Sequence, residues 1–173
     1  HVNFGRLLNL LEGELAPLHD AGSPDYALML DIMYYMTHYS DVLHHPKEDL
    51  AFAKIKERDM NARPVVDELT EQHAHLKEFG DALVHALDDI VNGSITAREH
   101  VEVPGRAYVA EFRSHMQREE TAILPLAAKL LHDSDCTSEP GSWRATLGAL
   151  PALVDSFRER GLEVGTVGEH GLL

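Results

Sequence analysis

Residues 115–120 read His115-Met116-Gln117-Arg118-Glu119-Glu120, and residues 44–49 read His44-His45-Pro46-Lys47-Glu48-Asp49. In both stretches an imidazole precedes a carboxylate by four residues. On an α-helix that is about one turn, so the two side chains point the same way. Each pair lies inside a segment whose apolar spacing reads as a long helix. Facing pairs of nitrogen and oxygen ligands inside a helical bundle are how proteins build di-iron carboxylate centres. These two half-sites decide the fold reading, and the rest of the chain is read outward from them.

The half-site at 115–120 continues a stripe of Tyr108, Phe112, His115, Glu119, Ala122 and Leu126. Thr96 and Glu99 read as a capping box at the start of that helix. Pro104 and Pro125 predict a break near its start and a bend near its end. The half-site at 44–49 belongs to a helix over residues 25–58, entered through Ser23 as N-cap and Pro24 at the first helical position. Its expected inward positions are Leu30, Tyr34, Thr37, Asp41, His44 and Glu48. Pro46 removes a backbone donor and should kink the helix beside the ligands.

Two further stripes complete the set. Phe4, Leu8, Leu11, Leu15 and Leu18 alternate by four and three, with His1 the next position backwards. Leu69, His73, Leu76, Gly80, Leu83, Leu87 and Ile90 mark a helix over 64–91 that stops at Asn92-Gly93. Four amphipathic helices with short connections predict an all-α, up-down-up-down four-helix bundle. The bundle is placed at 1–133. Residues 134–173 read as a linker and a short C-terminal helical extension, with helices over 143–160 interrupted at Pro151 and a glycine-rich tail.

The chain has 173 residues, enough for one domain with a sizeable core, and 44% are apolar. Lys plus Arg number 15 against 29 Asp plus Glu, a net charge of -14. That balance argues against nucleic acid and anionic membrane surfaces as partners and suits cation uptake. The single cysteine, Cys136, allows no disulfide within the chain, so a reducing, cytoplasmic setting is expected. No apolar run approaches the ~20 residues of a membrane span, and no signal peptide is visible. The chain opens at His1 already in a helical stripe, so native residues are expected upstream.

Every predicted helix carries a histidine on its core stripe: His1, His44, His73 and His115. One such histidine is ordinary. Burying four, with Glu48 and Glu119 beside them, is costly without compensation, and divalent cations supply it. Glutamate can bridge two metals through its two oxygens. His45 lies about 100° round from His44, so a second register, His45 with Asp49, stays open, and a kink at Pro46 could let His45 reach a metal too. Asp41 and Tyr34 are placed to orient ligands or line the pocket. Tyr108 and His38 read as packing residues. His19, His75, His85, His100, His132 and His170 fall off the stripes, and Glu120 faces solvent or a neighbouring helix.

The segments at 44–49, Glu71-Gln72-His73 and 115–120, with the opening His1-Val2-Asn3-Phe4-Gly5, resemble the bacterial hemerythrin-like proteins over about residues 1–131. The resemblance implies a non-haem di-iron centre: two iron ions with a bridging oxo, hydroxo or water species. Family ligands map onto His1, His44, Glu48, His73, His115 and Glu119, and in some members onto the His45 position. Oxygen-carrying hemerythrins have a second histidine one turn after the His73 position, where this chain has Lys77. They also end with His followed five residues later by Asp, unlike His115 and Glu119. The resemblance therefore points to the branch tied to peroxide, nitric oxide, oxygen sensing and iron handling. The expected function is binding or reduction of a small oxidant, a diatomic gas or peroxide. A lone missing histidine would leave coordination open for turnover. The alternative is an iron or oxygen sensor without catalysis.

Overall fold

The computed structural model describes residues 1–19 and 22–132. The predicted extension over 134–173 lies outside the described residues. Helix α1 spans Val2–His19. Next comes one long rod: α2 over Tyr26–Tyr35, a π-helical segment over Met36–His44, and α3 over His45–Arg58. A short 3₁₀ turn, Met60–Ala62, leads into α4, Arg63–Val91. The last rod is α5 over Glu99–Arg118, a second π segment over Glu119–Ile123, and α6 over Leu124–Leu130. This is an all-α four-helix bundle, and no strand occurs among the described residues. No helix there is long and apolar enough to cross a membrane.

The stripes predicted for α1 and α4 are buried as read except at their ends, where His1 and Ile90 are half-buried. Phe4, Leu8, Leu11, Leu15 and Leu18 pack inward from α1, and Leu69, His73, Leu76, Gly80, Leu83 and Leu87 from α4. Burying a leucine or phenylalanine side chain contributes roughly 1.5–3 kcal/mol before the entropy of ordering it. Helix α4 packs against α5 and α2, and α1 packs against α5 and α2. Gly80 marks a close approach: a Cβ there would sit 2.8 Å from Thr37 Cγ2 and 3.3 Å from Tyr108 Cε2.

Two entries into helices differ from the sequence reading. Asp25 caps α2, its carboxylate accepting from the Leu28 amide at 2.8 Å, in place of Ser23. Helix α5 starts at Glu99 with Arg98 as N-cap and no side-chain cap, so the Thr96 capping box does not form. Arg98 instead donates to the Gly22 carbonyl at 2.9 Å, which ties the start of α5 to the α1–α2 connection.

The inward face of the second rod also shifts. Met29, Ile32, Met33, Tyr35, Met36, Thr37, Ser40, Leu43, His45 and Glu48 are buried, while Tyr34 is 37% exposed and stacks on His38 at 3.7 Å. The predicted stripe assumed a constant period of 3.6 residues. The π segment winds more slowly, so faces before and after it are out of phase. On the last rod the same effect buries Ile123 and Ala127 and leaves Leu126 only half-buried.

The core forms two apolar clusters. The larger gathers Phe4, Leu76, Phe112 and the residues of α1, α2, α4 and α5 around them. The smaller holds Phe52, Ile55, Val66, Leu69, Ile123 and Ala127. Rings from both clusters flank the layer of buried histidines: the Phe112 ring centre lies 5.9 Å from that of His45, and Phe52 lies 5.8 Å from His73.

Candidate metal centre

Both π segments adjoin the polar layer. In the first, the His45 amide bonds back five residues to the Ser40 carbonyl. Pro46 follows, with no amide to donate and a ring that would crowd the carbonyl one α-turn earlier. Widening the preceding turn relieves that conflict. It also lets two adjacent residues both serve the interior. His44 turns towards α1, its ring 6.0 Å from His1 and 5.1 Å from Phe4. His45 turns towards α4 and α5, stacked on His73 at 4.1 Å and edge-on to His115 at 5.4 Å. In the second π segment the Leu124 amide bonds back to the Glu119 carbonyl, and Pro125 again lies two residues past its end. Such π bulges occur frequently at functional sites.

Two groups of ligating atoms result: His45, Glu48, His73 and His115, all buried, and His1, His44 and Glu48. Glu48 belongs to both. Its Oε1 lies 3.0 Å from His44 Nε2, and its Oε2 lies 3.7 Å from His73 Nε2. Glu119 spans the groups in the same sense. Its Oε2 is 3.0 Å from His1 Nε2, and its Oε1 is 3.4 Å from His115 Nε2 and 3.9 Å from His73 Nε2. Yet Glu48 Oε2, His73 Nε2, His115 Nε2 and both Glu119 oxygens are buried without a hydrogen bond among the described residues. Buried polar atoms normally find partners, and leaving one unsatisfied costs about 1–3 kcal/mol. Five such atoms gathered in one layer fit a cation-binding site.

The outer nitrogens are held by a ring of second partners. Asp49 Oδ1 lies 2.9 Å from His73 Nδ1, Gln72 Oε1 3.1 Å from His115 Nδ1, and Glu120 Oε1 2.8 Å from His1 Nδ1. Asp41 Oδ1 lies 3.2 Å from His45 Nδ1. Acceptors on Nδ1 fix the tautomer and turn the opposite nitrogen inward, the usual support of a metal-bound imidazole.

Charge divides the histidines into two kinds. Burial depresses His45, helped by the nearby His73 and His44 charges, to about 2. His115 falls to about 3, burial outweighing the pull of Glu119. Both stay neutral at physiological pH, the form that ligates a metal. His1 and His73 rise to about 9: burial lowers each, but carboxylates beside them prevail, Glu119 and Glu120 for His1 and Asp49 and Glu119 for His73. Burial raises Glu119, but His1 and His73 outweigh it and hold its carboxyl well below the usual range. Asp41 is raised to about 7 by burial, against the opposing Lys77.

The structure thus gathers all seven sequence candidates, His1, His44, His45, Glu48, His73, His115 and Glu119, at one layer. Of the two registers left open for 44–49, the His44–Glu48 pair forms and the His45–Asp49 pair does not: His45 enters the cluster with Asp41, one turn before it, as partner. Asp49 crosses to His73 instead. Lys77 does not face the cluster; it is largely exposed and pairs with Asp81 at 2.9 Å. Gln72 and Glu120 were assigned no role from sequence, because their contacts cross between helices. A family model described as the hemerythrin HHE cation-binding domain matches residues 1–140. No curated protein and no solved structure matches the chain.

Proposed function

Since the chain belongs to the hemerythrin HHE cation-binding domain family, we propose that its histidine–glutamate layer holds two non-haem iron ions and that the protein binds or reduces a small oxidant. The observation that carries this reading is the split of each glutamate. Glu48 and Glu119 each turn one oxygen to the His1–His44 side and the other to the buried histidines. A carboxylate shared in that way suits two cations better than one. His45, His73 and His115 would hold one ion and His1 and His44 the other. Bound iron would supply one-electron redox chemistry and coordination positions for oxygen, hydrogen peroxide or nitric oxide.

The chain's own residues prepare that site in three ways. Glu48 and Glu119 offset the cationic charge in a layer walled by Phe4, Phe52 and Phe112. Asp41, Asp49, Gln72 and Glu120 orient the imidazoles. Lys77 leaves no gap in this arrangement, because His45 contributes a third imidazole to the buried group. The His1–His44 side is the more open, with side chains 16% and 25% exposed, so a small molecule arrives there. The test is iron quantitation after anaerobic loading, an absorption spectrum after exposure to air, and peroxide turnover. Two irons per chain with turnover support the reading. Two irons with binding but no turnover make the protein an oxygen- or iron-responsive module. Stoichiometry capped at one removes the shared-carboxylate account.

A further inference from the structure

Tyr39 lies five residues before His44, inside the same π segment. On a regular α-helix five residues turn through about 500°, which leaves the two side chains roughly 140° apart. The wider winding of a π segment, with its i→i+5 bonds, brings them closer to one line. The Tyr39 and His44 rings accordingly lie nearly parallel, their planes 14° apart and their centres 6.3 Å apart. Phe4 packs against both, its ring centre 5.8 Å from Tyr39 and 5.1 Å from His44. Tyr35 stacks on Tyr39 in turn, at 5.4 Å. The two tyrosines differ in their access to water. Tyr35 is 1% exposed, whereas Tyr39 is half-buried and its hydroxyl is not among the sealed polar atoms.

A phenol can give up one electron and one proton together: its O–H bond breaks, the electron goes to the oxidant and the proton to a base. Tyr39 has both routes. The stacked His44 ring leads inward to the metal layer, and water at its hydroxyl takes the proton. We propose that Tyr39 is an electron relay of the centre, passing electrons singly through the His44 ring and restored by an external phenolic or enediol reductant. The inference rests on the proposed reading of two irons and peroxide as oxidant. Reducing one hydrogen peroxide to two waters takes two electrons and two protons, so Tyr39 cycles twice. In each cycle the phenol sends an electron to the oxidised centre and a proton to solvent, leaving a neutral phenoxyl. The reductant then returns one electron and one proton to the phenoxyl oxygen. Two reductant molecules leave as radicals for each peroxide consumed.

The test uses iron-loaded, air-oxidised protein with hydrogen peroxide as oxidant and ascorbate as reductant, all variants compared at equal iron loading. Without ascorbate, the parent mixed with peroxide and freeze-quenched should show the electron paramagnetic resonance of a neutral phenoxyl. A nitroso spin trap, which catches radicals too short-lived to freeze, should leave its mass on the peptide that carries Tyr39. Tyr39→Phe keeps the ring, and should keep the iron content and absorption spectrum while losing both marks. It should also lose the stimulation of peroxide consumption by ascorbate. Tyr35→Phe should keep the marks and the stimulation. A phenoxyl signal unchanged in Tyr39→Phe places the donor elsewhere and overturns the relay. A parent that holds two irons but shows neither signal nor adduct also overturns it, and leaves the two-iron reading standing. A parent that takes no iron refutes the metal reading itself, and the relay with it.

Discussion

The two His-x-x-x-Glu arms are alike in sequence and unlike in space. On the last rod, His115 and Glu119 sit at the end of a regular α-helix, both about 1% exposed, and the π segment begins at Glu119 and runs away from them. On the second rod the π segment comes first and ends at His44, so His44 closes it and His45 and Glu48 lie downstream. The first arrangement inherits its face from the α5 stripe. The second depends on a widened turn, which puts two adjacent histidines to use and leaves His44 half-buried at the open side. Equal spacing fixes which residues share a face; the position of the helix irregularity fixes which face that is.

The largest expected difference concerns the carboxylates. Glu119 touches His1, His73 and His115; it helps hold His1 protonated together with Glu120, and His73 behind Asp49. Removing one member of a buried charged pair typically costs ~3–5 kcal/mol. Glu119→Gln should cost the metal-free protein an amount in that range by denaturant unfolding, and Glu48→Gln should cost less. Equal losses would mean that the two arms carry the same electrostatic weight. Metal then adds its own term. At a free concentration roughly 100–1,000 times Kd, iron should raise the melting temperature by roughly 5–15 °C, a gain that a chelator removes.

The prolines probe the origin of the asymmetry. Pro46→Ala restores an amide and allows the first π segment to tighten into α-helix, rotating His45 by up to about 100°. Losing that imidazole should weaken metal binding at least about tenfold, since even lesser second-partner losses cost that much. Pro125→Ala sits beyond a π segment that starts at Glu119 and runs away from the ligands, so binding should change little. If both variants bind alike, the π segments are incidental to ligand placement.

This contrast also marks what the sequence could convey. Periodicity located α1 and α4 nearly residue by residue, because both are regular and each buries one stripe. Periodicity failed at Tyr34 and Leu126 because it presumes one winding number along each rod. Pro46 signalled the disturbance but not its sense, which is why His45 stayed open. The ligand candidates were legible since burying so many ionisable groups has few solutions. Gln72 and Glu120 were not, because each acts on a histidine from another helix, or across the whole length of the chain.

A smaller effect separates the histidines by charge. His1 and His73, at about 9, carry protons at pH 7, whereas His45 and His115, at about 2 and 3, do not. Metal takes only the neutral imidazole, so loading must expel the protons of the first pair. Calorimetric titration in buffers of different ionisation enthalpy should show about two protons released per chain at pH 7. Release should fade as pH rises through 9, where the free protein has already lost them. No release at pH 7 would show that the neighbouring carboxylates, Glu119 and Glu120 for His1 and Asp49 and Glu119 for His73, do not hold the two imidazoles charged.

The smallest effect is expected at Lys77, where the oxygen-carrier pattern would have a histidine. Sequence spacing alone puts position 77 one turn after His73 and beside the ligands. In the structure the lysine ammonium is paired with Asp81 and faces water, and its charge is felt by Asp41 rather than by the cluster. The space beside His73 is taken by the His45 ring, stacked on it at 4.1 Å. An imidazole at 77 therefore meets a layer that already has its fifth histidine. Lys77→His should lose an exposed pair of about 0.3–0.5 kcal/mol and leave iron stoichiometry, absorption spectrum and peroxide consumption at parent values. His45→Ala should change all three. The double variant decides between the two positions: if histidine at 77 restores what alanine at 45 removes, the sites are interchangeable and the first π segment is one of two routes to the same imidazole. If it restores nothing, ligand supply to the buried group rests on the widened turn alone.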